Sequence, residues 1–344
     1  MEDRVKTKQQ NRIVANWLLI CCALVFAMVV LGGVTRLTGS GLSMVEWRPI
    51  MGALPPLSAE EWQEKFEIYQ LTPEFQKVNS DFDIGDFKNI FWLEYLHRLL
   101  GRLIGLAFAV PFVYFAVTGY IPKRDWPKYL AMFALGGGQA FIGKIMVASG
   151  QVDAPQVSHY RLTAHLAAAI LVYALMLWTA LSLLFPAARD AVKHTLFGRT
   201  VGIFLLVCTM IISGGFVAGL KAGKVYNTFP IMGDDWLPQG LLALEPMWRN
   251  AFDNIITVQF NHRWLAMLTF ASILAYWFIA KKAELPKRAR LAVNALLHTA
   301  SLQVVLGISA LLMAVPVALG AAHQAVGLLL FTVTLYLVHT LRRV

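Results

Sequence analysis

Residues 91–117 read FWLEYLHRLLGRLIGLAFAVPFVYFAV, an apolar run that carries Glu94, His97 and Arg98 close to its start. A helix needs about 20 mainly apolar residues to cross the hydrocarbon core of a bilayer. The stretch is long enough, yet it opens on a carboxylate, an imidazole and a guanidinium. Seven further stretches of similar length and apolarity bring the predicted spans to eight, near 14–34, 90–118, 127–148, 161–184, 200–220, 255–280, 291–314 and 319–340. The whole chain agrees: 58% of its 344 residues are hydrophobic and 15% charged, and its mean hydropathy of +0.59 is too high for a water-soluble protein of this length. The sequence predicts an all-α integral membrane protein.

The basic residues give the orientation. Arg4, Lys6, Lys8 and Arg12 precede the first span, Lys123, Arg124 and Lys128 lie between the second and third, and Arg189, Lys193 and Arg199 between the fourth and fifth. Lys281, Lys282, Lys287, Arg288 and Arg290 crowd the loop between the sixth and seventh, and Arg342 and Arg343 end the chain. The opposite side carries the acidic segment 58–86, with Glu60, Glu61, Glu64, Glu67, Glu74, Asp81, Asp83 and Asp86. The positive-inside rule then puts both termini in the cytoplasm. The net charge of +10 reports topology and implies no nucleic-acid partner. The first span runs into GGVTRLTGSG, with Arg36, where a cleaved signal peptide would show a small-residue site, so it reads as a permanent span in a bacterial cytoplasmic (inner) membrane. Cys21, Cys22 and Cys208 all fall inside spans, which leaves no outer disulfide and no thiolate metal site.

The chain also repeats itself. Span one ends LGGVTRLTGSG and span five SGGFVAGLKAG; span two opens EYLHRLLGRL and span six QFNHRWLAML. Span three carries QAFIG from Gln139 and span seven QVVLG from Gln303, while TAHLAAAILVYALML in span four answers AAHQAVGLLLFTVTLYL in span eight. Four landmarks recurring in one order predict two tandem four-helix units, 1–185 with a long outer loop at 35–89, and 186–344. Each unit holds an even number of spans, so both face the same way, related by a pseudo-two-fold axis along the membrane normal.

The repeat selects His97, His165, His262 and His323 from the eight histidines. Their spans all run from outside to inside, and each histidine falls one to two turns from the predicted outer end, so all four share one depth. Within each unit two imidazoles can face each other across a four-helix bundle, the usual place for heme in such folds. A bis-histidine heme needs one axial nitrogen on each side of the macrocycle, which this arrangement supplies twice. A lone histidine in a span is more often a hydrogen-bonding link between helices, and His159, His194, His298 and His339, outside the pattern, are read as structural. Arg98 and Arg263 follow the paired histidines and are expected either to snorkel or to bind heme propionates, with Arg36, Arg102 and Arg161 weaker candidates. Gly32, Gly33, Gly214 and Gly215 suggest close helix packing.

GGVTRLTGSGLSMVEWRPIMGALPP, EYLHRLLGR, YNTFPIMGDDWLP, FNHRWLA and AAHQAVGLLL resemble the heme A synthase family over nearly the whole chain. The resemblance implies a prosthetic heme b in the C-terminal half, ligated by His262 and His323, and substrate heme O in the N-terminal half, with His97 and His165 as ligands or near neighbours of its iron. It implies oxidation of the C8 methyl of heme O, through an alcohol, to the formyl group of heme A. Implied partners are heme O, a heme O synthase as donor, cytochrome oxidase assembly factors or the apo-oxidase as acceptor, an electron acceptor, membrane lipid and a second copy of the chain. Some family members carry a cysteine pair in an outer loop; this chain has none there, and the redox role of that pair does not carry over.

The halves differ beside the histidine of the second span in each unit. Glu94 stands three residues before His97, on the same helix face, and its counterpart three before His262 is Gln259. An ionisable group inside a membrane is a functional candidate, so the half with the carboxylate is expected to do the chemistry and the half with the amide to hold a resident cofactor. Glu94 would act as a general base, or as an anion facing positive charge on the reacting carbon. The bland alternative is an ion pair with Arg98 at a solvated helix edge, contributing roughly 0–1 kcal/mol. Ser58 and Glu61 have capping-box spacing ahead of Trp62, Phe66 and Tyr69, which predicts an outer helix lying on the membrane surface. Two other functions fit parts of this pattern: a diheme b-type electron-transfer cytochrome, which has no use for Glu94, and a histidine-lined transporter.

Overall fold

A computed structural model describes residues 2–46, 53–150, 155–186 and 192–342, with side chains from Thr7 onward. Arg189 and Arg343, the side chains of Arg4 and Lys6, and residues 47–52 of the first motif lie outside the described residues. The described chain is helical, without strands. In order come α1 (Glu2–Leu37), α2 (Ala59–Gln70), α3 (Pro73–Lys77), α4 (Ile84–Val117), α5 (Trp126–Ala148), α6 (His159–Leu184), α7 (Phe197–Gly219), α8 (Ile255–Lys281), α9 (Lys287–Leu312) and α10 (Val317–Leu341). The eight long helices, α1 and α4 to α10, are each long and apolar enough to cross a membrane, as predicted.

Helices α1, α4, α5 and α6 pack as a ring in which each touches the next and α6 returns to α1; α7, α8, α9 and α10 pack in the same cyclic order. The rings meet through α1 with α10, α6 with α7, and α6 with α10. Leu103, Leu106, Val110, Val113 and Val117 form an exposed apolar stripe along α4, the face that lipid covers. Between the rings the backbones come close. A Cβ built on Gly219 of α7 would lie 2.6 Å from His159 Cα of α6, and one on Gly215 would lie 2.8 Å from Thr163 Oγ1. On the α1–α10 side, Gln324 Nε2 donates to Val29 O at 2.7 Å.

Two expectations need correction. Helix α4 begins at Ile84 rather than near 90, because Asp83 and Asp86 form a reciprocal capping box at its start. Its first turns also gain cover: Phe87, Ile90 and Phe91 pack under Trp62, Phe66 and Tyr69 of α2. Ring centroids of Trp62 and Phe91 lie 4.9 Å apart, and those of Tyr69 and Phe87 5.1 Å. The apolar face of α2 is therefore turned onto α4, where aromatic burial is available, and not onto lipid. Ser58 caps α2 through Glu61 N at 3.1 Å, but the Glu61 carboxylate accepts from Leu57 N at 2.6 Å instead of closing the box on Ser58.

The same cap buries Glu74 of α3, 7% exposed, with the Tyr69 hydroxyl donating to it at 3.3 Å and Asn79 donating to that hydroxyl at 2.9 Å. Burial pushes the Glu74 carboxyl up to about 7; the Tyr69 hydrogen bond and Lys221 oppose the rise and the Glu94 charge adds to it.

Two predictions follow from this packing. Gly219→Ala should lower thermal stability in detergent by about 1–3 kcal/mol, because backbone lies in the way. Gly202→Ala, on the same helix with nothing within 4 Å of its Cβ position, should leave stability unchanged or slightly raised; equal losses in both would refute the close approach. For Glu74, the folded protein holds a proton that the unfolded chain loses above about 4.5. Stability of the cap should fall as pH rises from about 4.5 to about 7, by at most on the order of 3 kcal/mol, and level off above. Hydrogen exchange of α2 and α3 amides at pH 5 and pH 8 checks this, and Glu74→Gln should remove the difference.

Candidate functional site

Each of the four repeat histidines lies against a glycine of the preceding span. A Cβ on Gly32 of α1 would stand 3.0 Å from His97 Nε2, and one on Gly214 of α7 would stand 3.5 Å from His262 Cε1. Likewise Gly143 of α5 faces His165 Cε1 at 3.4 Å, and Gly307 of α9 faces His323 Cε1 at 2.8 Å. At Gly32 and Gly307 a side chain would press on the ring, whereas at Gly143 and Gly214 a Cβ would meet it at ordinary contact distance. The imidazoles pair within units: His97 lies in electrostatic range of His165, and His262 of His323. His165, His262 and His323 sit in the second turn of their helices, as expected, while His97 sits in the fourth because of the outward extension of α4.

The rings are held differently. His262 Nδ1 is 3.0 Å from Ser213 Oγ of α7. Gln303 Nε2 of α9 is 3.3 Å from His323 Nε2, and both His323 Nδ1 and Gln303 Oε1 are buried without a partner. The Gln139 amide, oriented by its hydrogen-bond surroundings, donates to His165 Nδ1 at 3.0 Å. Among the described residues no group of three or more histidine, cysteine, aspartate or glutamate side chains converges to hold a bare metal ion. Two imidazoles per unit suit a metal whose other ligands come from a macrocycle.

Glu94 is 3% exposed. Its Oε2 accepts from Ser43 Oγ at 2.7 Å and from Met44 N at 2.8 Å, and its Oε1 from Arg98 at 2.5 Å. Arg98 also donates to Met44 O at 2.8 Å and Glu46 O at 3.1 Å. The pair is thus deeply buried, not at a solvated edge, and it anchors the segment that leaves α1. In the other unit Gln259, 2% exposed, donates to Tyr226 O at 3.0 Å, and its Oε1 has no partner. Arg263 donates to Tyr226 O and Thr228 O, both at 2.6 Å, and to Ile231 O at 3.2 Å. Both arginines therefore clamp backbone carbonyls of the segment that follows the first helix of their unit. Arg36 is half-buried and has no hydrogen-bond partner among the described residues. Arg161 donates to Ile145 O at 2.8 Å.

Three other histidines make structural bonds. His159 meets Asp253 at 3.0 Å, His194 meets Glu284 O at 3.0 Å, and His339 meets Ser182 at 3.2 Å. The three free cysteines lie in spans, Cys21 and Cys22 buried. Sequence reading missed Ser43 and Ser213 altogether and treated Gln139 and Gln303 only as landmarks of the repeat. For Ser213 a signal was present, since SGG replaces LGG at matching places; for Ser43 there was none, because its contact spans 51 residues.

The family model described as "Cytochrome oxidase assembly protein" (COX15-CtaA) matches residues 15–335. The heme A synthase of Nitrosospira multiformis is 50% identical over 98% of this chain and 97% of its own length. That of Parvibaculum lavamentivorans is 44% identical over 98% and 97%. Human heme A synthase COX15 is 43% identical over 98% of this chain and 85% of its own. Matches of this extent, on a chain with the eight expected spans, make it a member of the COX15-CtaA family of cytochrome oxidase assembly proteins.

Proposed function

We propose that the chain is a heme A synthase, an oxidoreductase that converts the C8 methyl of heme O, through an alcohol, to the formyl group of heme A for cytochrome oxidase. One observation carries this reading: a buried carboxylate stands on the face of one imidazole pair, and a neutral amide takes its place beside the other. The relatives named heme A synthase, 43–50% identical, support it.

The residues fit heme. Each unit offers two imidazoles that rest against glycines, tightly at Gly32 and Gly307, and His323 Nδ1 is a buried ring nitrogen without a hydrogen-bond partner. His262 and His323 would hold prosthetic heme b in unit 186–344, and His97 and His165 would flank the iron of substrate heme O in unit 1–185. When bound, heme b supplies an iron that passes electrons singly. The like cyclic order of helix contacts in the two rings supports a pseudo-two-fold relation between them. Arg36, with no hydrogen-bond partner among the described residues, suits a propionate better than Arg98 or Arg263, whose guanidinium groups hold loop carbonyls.

Glu94 is held by three donors, which suit a carboxylate and not a carboxylic acid. It cannot swing to collect a proton without giving up buried bonds. It therefore acts as a fixed anion facing positive charge on the reacting methyl carbon, rather than as a general base. The basic loops support placement in a bacterial inner membrane with both termini cytoplasmic. Heme O would come from a heme O synthase, and heme A would pass to oxidase assembly factors or apo-oxidase, with an external electron acceptor and a homo-oligomeric state completing the reading.

Extraction of the hemes from purified protein, identified by chromatography and mass, tests the assignment. Heme b with heme O or heme A is expected; heme b alone, at two per chain, would instead make the protein a diheme electron-transfer cytochrome. His262→Ala and His323→Ala should each remove most heme b, while His97→Ala and His165→Ala should keep it and stop heme A formation. Equal loss in all four would end the division of labour.

Glu94→Gln should lower heme A formation by about 10²-fold or more and let heme O or the alcohol accumulate. The substitution also removes charge-assisted bonds worth about 1.5–3 kcal/mol each, so heme b retained in the C-terminal unit serves as the control for folding. Normal heme A output would leave Glu94 as an anchor for Arg98 and the loop alone.

A further inference from the structure

The two units differ at a second pair of matched positions, one helix away from Glu94 and Gln259. In the LGG of α1 and the SGG of α7, Gly32 and Gly214 are equivalent by sequence and by contact, since each carries the imidazole of its own unit, His97 or His262. The residue before that glycine is Leu31 in the first unit and Ser213 in the second. The Ser213 hydroxyl lies 3.0 Å from His262 Nδ1. Leucine has no atom that can hydrogen-bond a ring nitrogen, and among the described residues neither nitrogen of His97 has a hydrogen-bond partner.

A histidine that binds iron through Nε2 carries its proton on Nδ1. A hydrogen bond from that proton fixes the tautomer, sets the ring plane and strengthens the ligand; loss of such a partner commonly weakens metal affinity by about 10–100-fold. With Nδ1–H donating to Ser213 Oγ, the lone pair of His262 is on Nε2, the nitrogen available to iron. His97 has packing from Gly32 but no such anchor.

We infer that Ser213 is a positioning residue that locks His262 as a permanent heme ligand, and that Leu31 leaves His97 unanchored so that heme can exchange at the N-terminal site. The inference rests on the assignment of resident heme to unit 186–344 and substrate heme to unit 1–185. It gives that assignment a physical basis separate from the chemistry at Glu94, in one ligand of each pair: His262 is anchored through Nδ1 and His97 is not.

The test uses the full-length, detergent-purified protein and apomyoglobin as heme acceptor. Heme b should pass from Ser213→Ala to apomyoglobin at least about 10-fold faster than from the unaltered protein, and the low-spin ferric EPR signal of that heme should shift. Ser213→Thr, which keeps the hydroxyl, should restore both rate and signal, whereas Ser213→Val, similar in size to threonine, should not. A defect of packing alone would separate the variants by size rather than by hydroxyl. Leu31→Ser should slow release of the N-terminal heme by a comparable factor. Release from Ser213→Ala at the unaltered rate, with heme b present, would overturn the role of Ser213; unchanged release from Leu31→Ser would overturn the account of exchange. Absence of heme b from the unaltered protein would overturn the underlying assignment of the two sites instead.

Discussion

Four imidazoles resting on four glycines are the contacts around which the helices are arranged. Between spans in a bilayer there is little hydrophobic force, because lipid tails are as apolar as leucine; association rests on close packing and on polar bonds that cannot be made to lipid. A ring placed where a neighbour has no side chain satisfies the first requirement. In each unit the second span leans on the first, by Gly32–His97 and Gly214–His262, and the fourth leans on the third, by Gly143–His165 and Gly307–His323. The imidazoles are carried by alternate helices of each ring and supported by the helices between. The motif that builds the site also closes the bundle.

Against that common frame the buried carboxylate stands out. Taking a charge out of water is costly unless donors surround it, and the segment after α1 is shaped to provide them: the Ser43 hydroxyl, Met44 N and Arg98 all reach Glu94. One could read the charge as the means of fixing that segment. The second unit argues otherwise. There Gln259 and Arg263 bind the corresponding outer loop through Tyr226, Thr228 and Ile231 carbonyls with no carboxylate at all. Loop anchoring is thus achieved by an amide and an arginine, and the negative charge in the first unit goes beyond what the fold requires.

The part of this molecule legible in its sequence was what a local apolar pattern fixes, the eight spans. Bonds between distant segments were not. Nothing local tells Arg98 or Arg263 apart from a snorkelling or propionate-binding arginine, because their carbonyl partners lie between 32 and 54 residues away. The spacing of Trp62, Phe66 and Tyr69 correctly announced an amphipathic helix, but spacing cannot say what covers its apolar face. Phe87 and Phe91 provide that cover only because α4 continues outward past the predicted edge of its span. Gly32 and Gly214 were read as general packing residues, since the ring that meets each one belongs to another helix.

The seam between the rings is built from close backbone contacts and polar bonds. Gly215 and Gly219 bring α7 against Thr163 and His159 of α6, while Gly33 faces the Gln324 side chain across the α1–α10 contact, 2.8 Å from its Cδ at the Cβ position. Polar bonds then fix the register: Gln324 to Val29 O, Tyr173 to Thr332 at 2.8 Å, and, at the outer end, His159 and Tyr160 to Asp253 at 3.0 and 2.9 Å. Backbones this close cannot slide without collision, and each polar bond would be lost to lipid if they parted. The two rings of helices, alike in imidazoles that rest on glycines and unlike in the carboxylate of Glu94 and the amide of Gln259, are therefore held at one fixed separation.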